Sequence, residues 1–347
     1  MHIRLIALLL TLTAALPSVV NAAVPNTPLY WARASFNDDS QSIEHVTIRG
    51  RNAAGQGLFV RFSIANAGFK HGELLVSFNM EGSGGNGFFA EQKFARSEYT
   101  VAEDRLQIKA GGHTLEVQNG HLIANLAFAT LKATVDVTPQ VGPLTVADRR
   151  GDFIVRDIVA PIAHIAVHVQ DGERVFDGTE PGFAVHEASN ATAHKVYDRL
   201  IQLHHMGGAT FAVVDYIDLP AERGGRPLGF AAIVQKGHVF VGEIVKENRE
   251  DDHIDGEFDY QVPWTVTVLA KRGEARLALR LAADKQLGKE DDLKDFNFLA
   301  RKAVGALMHP VTYALKGQAV GELQANATDP PQLLEPFAVR YKYAQAH

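Results

Sequence analysis

The sequence predicts an all-β protein made of two consecutive antiparallel β-barrels that pack together, with one short helix in the second half. Three observations support this fold class. Apolar and polar residues alternate with a period of two along most of the chain, several of these runs are joined by two-residue turns, and helical spacing is confined to one segment. A length of 347 residues is enough for about two domains.

The composition is that of an ordinary globular protein, and it narrows the function classes. Hydrophobic residues make up 46% and charged residues 21%, which argues against a disordered chain. The 34 basic and 40 acidic residues give a formal charge of −6, so no nucleic-acid partner is expected. The absence of cysteine excludes disulfides, thiolate nucleophiles and cysteine-ligated metal clusters.

The first 22 residues have the layout of a secretory signal peptide. His2 and Arg4 precede an apolar run over residues 5–15, and Val20-Asn21-Ala22 places small or aliphatic residues where a signal peptidase cleaves. The run is shorter than the roughly 20 residues that span a bilayer, which favours cleavage over a membrane anchor. We therefore expect cleavage near Ala22 and export to the periplasm or secretion.

Strand patterns follow one another through the first half. Two runs each place their apolar residues on one face: Leu58, Val60, Phe62 and Ile64, then Leu74, Val76, Phe78 and Met80. Three short runs over 105–110, 113–118 and 121–128 are joined by Gly111-Gly112 and Asn119-Gly120. Such turns supply the positive φ angles that tight hairpins need, so the sequence predicts a three-stranded antiparallel meander.

The second half alternates in the same way. Its predicted strands carry the apolar sets Trp264, Val266 and Val268; Leu277, Leu279 and Leu281; Val311, Tyr313 and Leu315; and Phe337, Val339, Tyr341 and Tyr343. Lys316-Gly317 is placed to turn the third of these strands. Residues 292–307 are the exception, because their apolar residues recur at helical spacing behind an acidic start, which predicts the one short helix.

The number of strands places the seam between the two halves near residues 155–176, and no proline- or serine-rich linker separates them. The predicted domains are therefore 27–165 and 166–347, and they should pack closely. A sheet that closes on itself buries one face of every strand and leaves no exposed edge, which favours barrels.

The order of elements is similar to that of a known group of proteins. Tyr30-Trp31 is followed by runs at 44–51, 58–66 and 74–80, then by the Asn119-Gly120 hairpin and a connector at Pro143. This order resembles the N-terminal half of the two-domain calycins: the survival-factor (Svf-like), AttH-like and hydroxyneurosporene synthase (carotenoid hydratase) proteins. Residues 182–198 and 210–218 resemble the passage into their second barrel, with Tyr197-Asp198 where the survival-factor pattern has Trp-Asn.

The resemblance implies two lipocalin-like barrels, which offer an apolar cavity for a lipophilic molecule. Activities in the wider fold include lipid binding and transport, water addition to a polyene, terpenoid cyclisation and pericyclic ring closure. A fold of this kind does not decide the function, which has to be argued from a site.

Several motifs fit structural roles better than chemical ones. The glycine-rich run at 82–87 follows a strand, but no helix that could hold a pyrophosphate opens after it. His164 and His168 would lie about 13 Å apart on one strand, too far to share a metal ion. His204-His205 would point to opposite faces, and 251–253 has the composition of a solvated loop, so neither a metal nor a cofactor is expected.

The densest group of polar residues lies in the second half, and we predict that it binds the ligand. The candidates are His186, Glu187, Asn190, His194, Tyr197, Asp198, Asp215 and Tyr216, with Trp31 and Trp264 as candidate pocket walls. His194 and Asp198 are the candidate catalytic residues, because an imidazole near a carboxylate in an apolar barrel can move protons. The structural alternatives are a hydrogen-bond network at the domain junction, plain surface, and core packing for the tryptophans.

Three function hypotheses follow. The first is a periplasmic or secreted carrier for a lipophilic small molecule, a lipid or an isoprenoid, with peripheral membrane contact left open. The alternative is a cofactor-free hydratase, cyclase or isomerase that acts on an apolar polyene or terpenoid by acid–base chemistry. The third is an envelope interaction protein with no small ligand, although the sequence gives no sign of an obligate protein partner.

Overall fold

The computed structural model describes residues 42–51, 56–66, 72–82, 87–148, 153–191, 196–291, 293–294 and 309–346. The predicted signal peptide, Trp31, His194 and nearly all of the predicted helix at 292–307 lie outside these residues. Within the described ranges, no helix is both long and apolar enough to cross a membrane.

These ranges contain twenty-one strands, and every recorded pairing is antiparallel. The first sheet contains β1 (Ser42–Arg51), β2 (Gly57–Asn66), β3 (Glu73–Met80), β4 (Phe88–Phe94), β5 (Tyr99–Val101), β6 (Gln107–Ala110), β7 (His113–Gln118), β8 (His121–Ala127), β9 (Leu131–Pro139), β10 (Leu144–Asp148), β11 (Ile154–Asp171) and β12 (Arg174–Ser189). The second contains β13 (Arg199–Gly207), β14 (Thr210–Asp218), β15 (Pro227–Gln235), β16 (His238–Asp255), β17 (Tyr260–Arg272), β18 (Ala275–Asp291), β19 (Val311–Gln324), β20 (Gln332–Leu333) and β21 (Phe337–Gln345). The helical content described is two short 3-10 turns, Arg96–Glu98 and Ala221–Arg223, so the all-β prediction is confirmed.

The first sheet has the strand order β4-β3-β2-β1-β12-β11-β9-β8-β7-β6-β5, with β10 paired to β11. Side chains connect its two ends. The Tyr99 hydroxyl of β5 donates to the Gly72 carbonyl beside β3 at 2.7 Å, and Phe94 of β4 meets His113 of β7 edge-on at 5.5 Å. The sheet therefore curls around an apolar core, and the predicted apolar faces of β2 and β3 point into it.

The predicted meander is confirmed as β6, β7 and β8, which are neighbours in the sheet. Asn119 and Gly120 have φ angles of 52° and 83°, the positive values that a type I′ hairpin turn requires, and Gly111 has a φ of 55° in the preceding turn. Glycine and asparagine tolerate these angles, which is why they mark both turns.

The second sheet closes completely. Its strands follow the order β18-β17-β16-β15-β14-β13-β21-β19, and β19 pairs again with β18, which makes an eight-stranded barrel with β20 attached to β19. The apolar sets predicted for β18, β19 and β21 lie in its interior. Closure removes the sheet edges, as the strand pattern predicts.

Two local predictions in the second half are wrong. Lys316-Gly317 does not turn the chain, because β19 continues through it as far as Gln324. The glycine allows a close approach instead, since a Cβ on Gly317 would lie 1.8 Å from the Ala282 carbonyl oxygen of β18. Residues 251–253 belong to the exposed end of β16 and do not form a loop.

The change from the first sheet to the second falls between Ser189 and Arg199. The predicted boundary at 165/166 lies inside β11. The difference arises because β11 and β12 are 18 and 16 residues long and belong wholly to the first sheet, whereas an estimate from strand number assumes strands of ordinary length.

The two barrels pack together, as predicted. A third apolar cluster lies between them and is distinct from the clusters that fill the two sheets. Ile158 and Phe183 come from the first sheet and Val213, Leu228 and Phe230 from the second, with the rings of Phe183 and Phe230 edge-on at 5.9 Å. Polar residues that share these faces of β11, β12 and β14 are therefore placed at the junction of the barrels.

Candidate active site

Neighbouring residues on a strand point to opposite faces, and this divides the predicted polar group. On β12, His186 lies in the first barrel beside Glu44, whereas Glu187 lies at the junction. On β14, Tyr216 lies in the core of the second barrel, whereas Asp215 faces the junction. The junction therefore brings together two carboxylates, Glu187 and Asp215, from different barrels.

A pocket of about 290 Å³ lies at this junction. Its histidine and its charged residues are His45 of β1, Arg156 of β11 and Glu187 of β12. The rest of its wall is largely apolar and includes Ile43, Ile154, Ala188, Val196, Tyr197 and Ile217. An apolar pocket with a few convergent polar groups is typical of sites for small molecules.

A continuous chain of charge-assisted contacts runs across the junction. His45 Nε2 lies 2.7 Å from Glu187 Oε2, and Arg156 Nε donates to Glu187 Oε1 at 2.5 Å. On the other side, Arg156 Nη2 donates to Asp215 Oδ1 at 2.6 Å, and His204 Nε2 lies 3.2 Å from Asp215 Oδ2. This chain, from His45 through Arg156 to His204, is called the junction chain below.

The junction chain holds both carboxylates in the ionised form. Burial alone would raise the pKa of Glu187, but the Arg156 guanidinium and His45 hold that pKa well below its ordinary value. Burial is likewise outweighed at Asp215, whose pKa is lowered by Arg156 and by its hydrogen bond to His204. Arg156 itself has a raised pKa, because the two carboxylates outweigh its burial, so it stays charged.

His45 is the group in the pocket that can accept a proton. Burial lowers its pKa below the ordinary value of 6.5 and outweighs the opposing effect of Glu187, so the imidazole is mainly neutral at pH 7. In the neutral form Nε2–H donates to Glu187, which leaves Nδ1 as an acceptor. Nδ1 is buried and has no hydrogen-bond partner among the described residues, so a neighbouring side chain has to move before a water or a ligand group can reach it.

His186 does not reach the pocket. Its Nε2 lies 2.7 Å from Glu44 Oε1 and its Nδ1 lies 3.3 Å from Asp157 Oδ2, inside the first barrel. Burial would lower the pKa of His186, but hydrogen bonds to the two carboxylates outweigh it and raise the pKa to about 9. This imidazolium with its flanking carboxylates is therefore a buried ion cluster that supports the fold.

Tyr216 and Asp198 lie in the second barrel. The Tyr216 hydroxyl donates to Glu247 Oε2 at 2.6 Å, and Glu247 also lies 2.5 Å from Arg249 Nε. Burial and the neighbouring Glu247 carboxylate raise the pKa of Asp218 to about 8, so the Asp218 carboxyl group holds a proton near neutral pH. Asp198 lines a separate, highly charged cavity of about 470 Å³ beside them and does not line the junction pocket.

The remaining predicted site residues have other surroundings. Asn190 accepts a hydrogen bond from the Phe153 amide at 2.6 Å, which joins the first residues around β11 to the end of β12. Trp264 is half-buried and stacks on His253, with ring centroids 4.3 Å apart, away from the junction pocket. His194 lies outside the described residues, between Ala191 and Val196, which both line the pocket. Trp31 also lies outside them.

Two residues of the site, His45 and Arg156, are not among those predicted from the sequence. His45 is 142 residues away from its partner Glu187, and no local pattern connects them. Arg156 could have been found from the sequence, because Arg156-Asp157 is a charged pair within a largely apolar run from 154 to 163. A charge in such a run requires a buried partner.

Two of the motifs interpreted as structural, the glycine-rich run at 82–87 and the pair of His164 and His168, have ordinary surroundings. His164 and His168 are exposed on one face of β11, and β4 begins at Phe88 directly after the glycine-rich run, so no helix follows it. In the described ranges, no group of three or more His, Cys, Asp and Glu side chains is arranged to hold a metal ion.

Comparison with known proteins identifies the fold. No family model and no curated protein matches the chain. Among solved structures, CghA with Sch210972 matches with a TM-score of 0.52 and 8% identity, over 93% of this chain and 95% of that one. A protein assigned as AttH from Nitrosomonas europaea matches with a TM-score of 0.44, 12% identity, and 93% and 98% of the two chains.

Kievitone hydratase from Nectria haematococca matches with a TM-score of 0.42 and 11% identity, over 96% of this chain and 94% of that one. Identities this low speak for the fold alone, and the likeness to CghA is the one that carries the argument. The two curled sheets, their shared apolar cluster and the match over nearly the full length of both chains agree with the resemblance drawn from the sequence. The chain therefore has the fold of the two-domain calycin-like proteins.

Proposed function

We propose that this protein is an enzyme that transfers a proton on an apolar substrate, a polyene or a terpenoid, in the junction pocket. The observation that carries the proposal is the position of His45: a neutral imidazole, held by the Glu187 carboxylate, in the wall of an apolar pocket. Of the hypotheses drawn from the sequence, this geometry favours the acid–base enzyme over the carrier.

The reaction that fits these groups is base-assisted addition of water to a conjugated, polarised double bond, or the corresponding isomerisation. His45 Nδ1 accepts a proton from water while the water oxygen bonds to the electron-poor carbon, and the carbon–carbon π pair moves to its neighbour. The His45 imidazolium then returns the proton to that neighbouring carbon. Glu187 stabilises the transient imidazolium, and Arg156 keeps Glu187 ionised and correctly oriented.

The size of the pocket limits the substrate. Pockets for small molecules run from about 300 to 1,000 Å³, so about 290 Å³ suits a compact molecule or one end of a longer one. A lipophilic carrier is the second candidate, because most of the wall is apolar. A carrier has no need of an imidazole with an unsatisfied acceptor, His45 Nδ1, in that wall, since a buried polar atom without a hydrogen bond costs stability. Export to the periplasm remains part of the proposal, supported by the signal-peptide pattern.

The test is turnover of small terpenoid enones, with β-ionone as the first probe, in deuterium oxide. Mass spectrometry should detect deuterium incorporation or addition of water with the unaltered protein. His45→Ala should lower the rate by at least about 100-fold, because general-base catalysis contributes that much. Glu187→Gln should also lower the rate, because it removes the charge that orients His45 and stabilises the imidazolium.

His121→Ala is the matched control. His121 Nδ1 lies 2.8 Å from Asp136 Oδ1 on the outside of the first barrel, so the variant removes a comparable imidazole–carboxylate pair away from the pocket. Its turnover should equal that of the unaltered protein. Saturable binding of the probes without any turnover would contradict the enzyme proposal and favour the carrier, as would turnover that survives His45→Ala.

A further inference from the structure

A second pocket, of about 370 Å³, has a strongly basic lining. It lies where the end of β1 meets the β13–β14 hairpin and strands β19 and β21. Its titratable residues are Arg51, His204, His205, Lys316 and Arg340, and none of the described residues that line it carries a carboxylate. This pocket is called the basic groove below. A concave surface lined by one sign of charge concentrates ions of the opposite sign.

Two of the cations in the basic groove face each other directly. Lys316 of β19 and Arg340 of β21 are cross-strand partners, both are exposed, and neither has an ion-pair partner among the described residues. Like charges directly opposite each other destabilise a sheet. The repulsion between Lys316 and Arg340 costs stability, and a bound anion would relieve it. Such a pair of cations is therefore expected where an anion binds.

The backbone beside these cations is also accessible. Gly207 and Gly208 line the groove at the β13–β14 turn, and a Cβ placed on either would meet no atom within 4 Å. The φ of Gly208 is 69°, so this turn presents peptide groups without side chains above them. Backbone amides in such turns are common ligands for phosphate and carboxylate oxygens.

We propose that the basic groove binds a small anion through a phosphate or carboxylate group, with Lys316 and Arg340 as its principal ligands. This site is separate from the junction pocket, with which it shares no lining residue. The two are connected through one residue: His204 lines the groove, and its Nε2 lies 3.2 Å from Asp215 of the junction chain. The inference does not depend on the proposed enzymatic activity.

The experiment measures binding of three probes at low ionic strength. Titration calorimetry with inorganic phosphate and with citrate tests free anions, and co-sedimentation with phosphatidylglycerol vesicles, against phosphatidylcholine vesicles, tests a lipid headgroup. The double variant Lys316→Gln with Arg340→Gln should weaken binding of at least one probe by about tenfold or more, because two charge-assisted contacts are lost.

Arg276→Gln with Arg280→Gln is the matched control. Both arginines are exposed on β18 of the same barrel, outside the groove, so the control removes the same net charge. It should change binding by less than about twofold. Variant-sensitive binding of phosphate or citrate, or of phosphatidylglycerol vesicles alone, supports the proposal and identifies the source of the anion. The proposal is overturned if the unaltered protein binds none of the probes, or if both double variants weaken binding equally.

Discussion

Arg156 connects the two barrels through one buried side chain. The residue is 4% exposed and donates to Glu187 of the first barrel and to Asp215 of the second. It also donates to the backbone carbonyls of Asp215 and Leu228 at 3.1 and 3.4 Å. Removing one member of such a buried cluster leaves charges without compensation, which costs far more than the intact cluster contributes.

Replacing Arg156 with methionine should therefore lower the free energy of unfolding by about 3–5 kcal/mol. Urea denaturation measures the loss, and Arg280→Met, at an exposed position on β18, is the control that should change it by less than about 0.5 kcal/mol. If Arg156→Met cost no more than the control, water would have to reach both carboxylates, and the ion pairs of Arg156 would not be buried in solution.

Glu180 is a buried carboxyl group whose oxygens accept no hydrogen bond from the described residues. The residue is 1% exposed, and neither carboxylate oxygen has a hydrogen-bond partner among the described residues. Burial raises its pKa from 4.5 to about 7. A group whose folded pKa lies above its unfolded value favours the folded state most at low pH, and that contribution is lost as the pH rises from about 4.5 through 7.

Replacing Glu180 with glutamine should remove this part of the pH dependence. Relative to the unaltered protein, Glu180→Gln should gain stability as the pH rises from 4.5 to 8, by roughly 3 kcal/mol at most, because one pKa unit corresponds to 1.36 kcal/mol. Denaturation curves across this range measure the difference. His186 and Asp218, whose pKa values are also raised, are common to both proteins and cancel. If the difference in the free energy of unfolding between the two proteins stayed constant with pH, the raised pKa of Glu180 would be contradicted.

At the scale of the strand, the cross-strand pair of Lys316 and Arg340 affects stability as well as binding. Lys316→Gln should raise the free energy of unfolding by about 0.5 kcal/mol at low salt, because it removes repulsion between directly opposed cations. The gain should vanish in 1 M salt, where the Debye length is about 3 Å. Arg280→Gln, whose cross-strand partners Thr267 and Val320 are both uncharged, should give no gain, and an equal gain there would assign the effect to net charge alone.

Strand formation was predictable because it is encoded locally. Period-two alternation placed Leu58 to Ile64 and Leu277 to Leu281 on buried faces, and Asn119-Gly120 marked a hairpin whose φ angles require those residues. Long-range pairing was not predictable in this way. One of the two partners of β1 is β12, more than 100 residues later in the chain, and no local pattern specifies that these strands adjoin.

The site was predictable to a smaller extent, for the same reason. Glu187 and Tyr197 line the junction pocket and Asp215 belongs to the junction chain, whereas His186 and Tyr216, their immediate neighbours on β12 and β14, face barrel interiors. A cluster of polar residues can be recognised in a sequence. Which member of each adjacent pair reaches the pocket depends on strand register, which only the packed sheets determine.

At the scale of the whole molecule, the two barrels are expected to unfold together. They share a buried apolar cluster, and the junction chain crosses the same surface. Large apolar interfaces couple domains, whereas small polar ones leave them independent. Phe183 of the first sheet and Phe230 of the second are both fully buried and in edge-on contact within this cluster, so truncating one ring weakens the coupling directly.

Scanning calorimetry should therefore give one cooperative transition for the unaltered protein, and Phe183→Ala should separate it into two, at a cost of about 3–5 kcal/mol. Phe78→Ala is the matched control, because Phe78 is an equally buried phenylalanine in the core of the first barrel. Phe78→Ala should lower the melting temperature but keep a single transition, because the interface between the barrels remains intact. The second barrel should not show a separate transition at its original temperature. Two transitions in the unaltered protein would mean that the junction does not couple the barrels, and its pocket would then be formed by two domains that move independently.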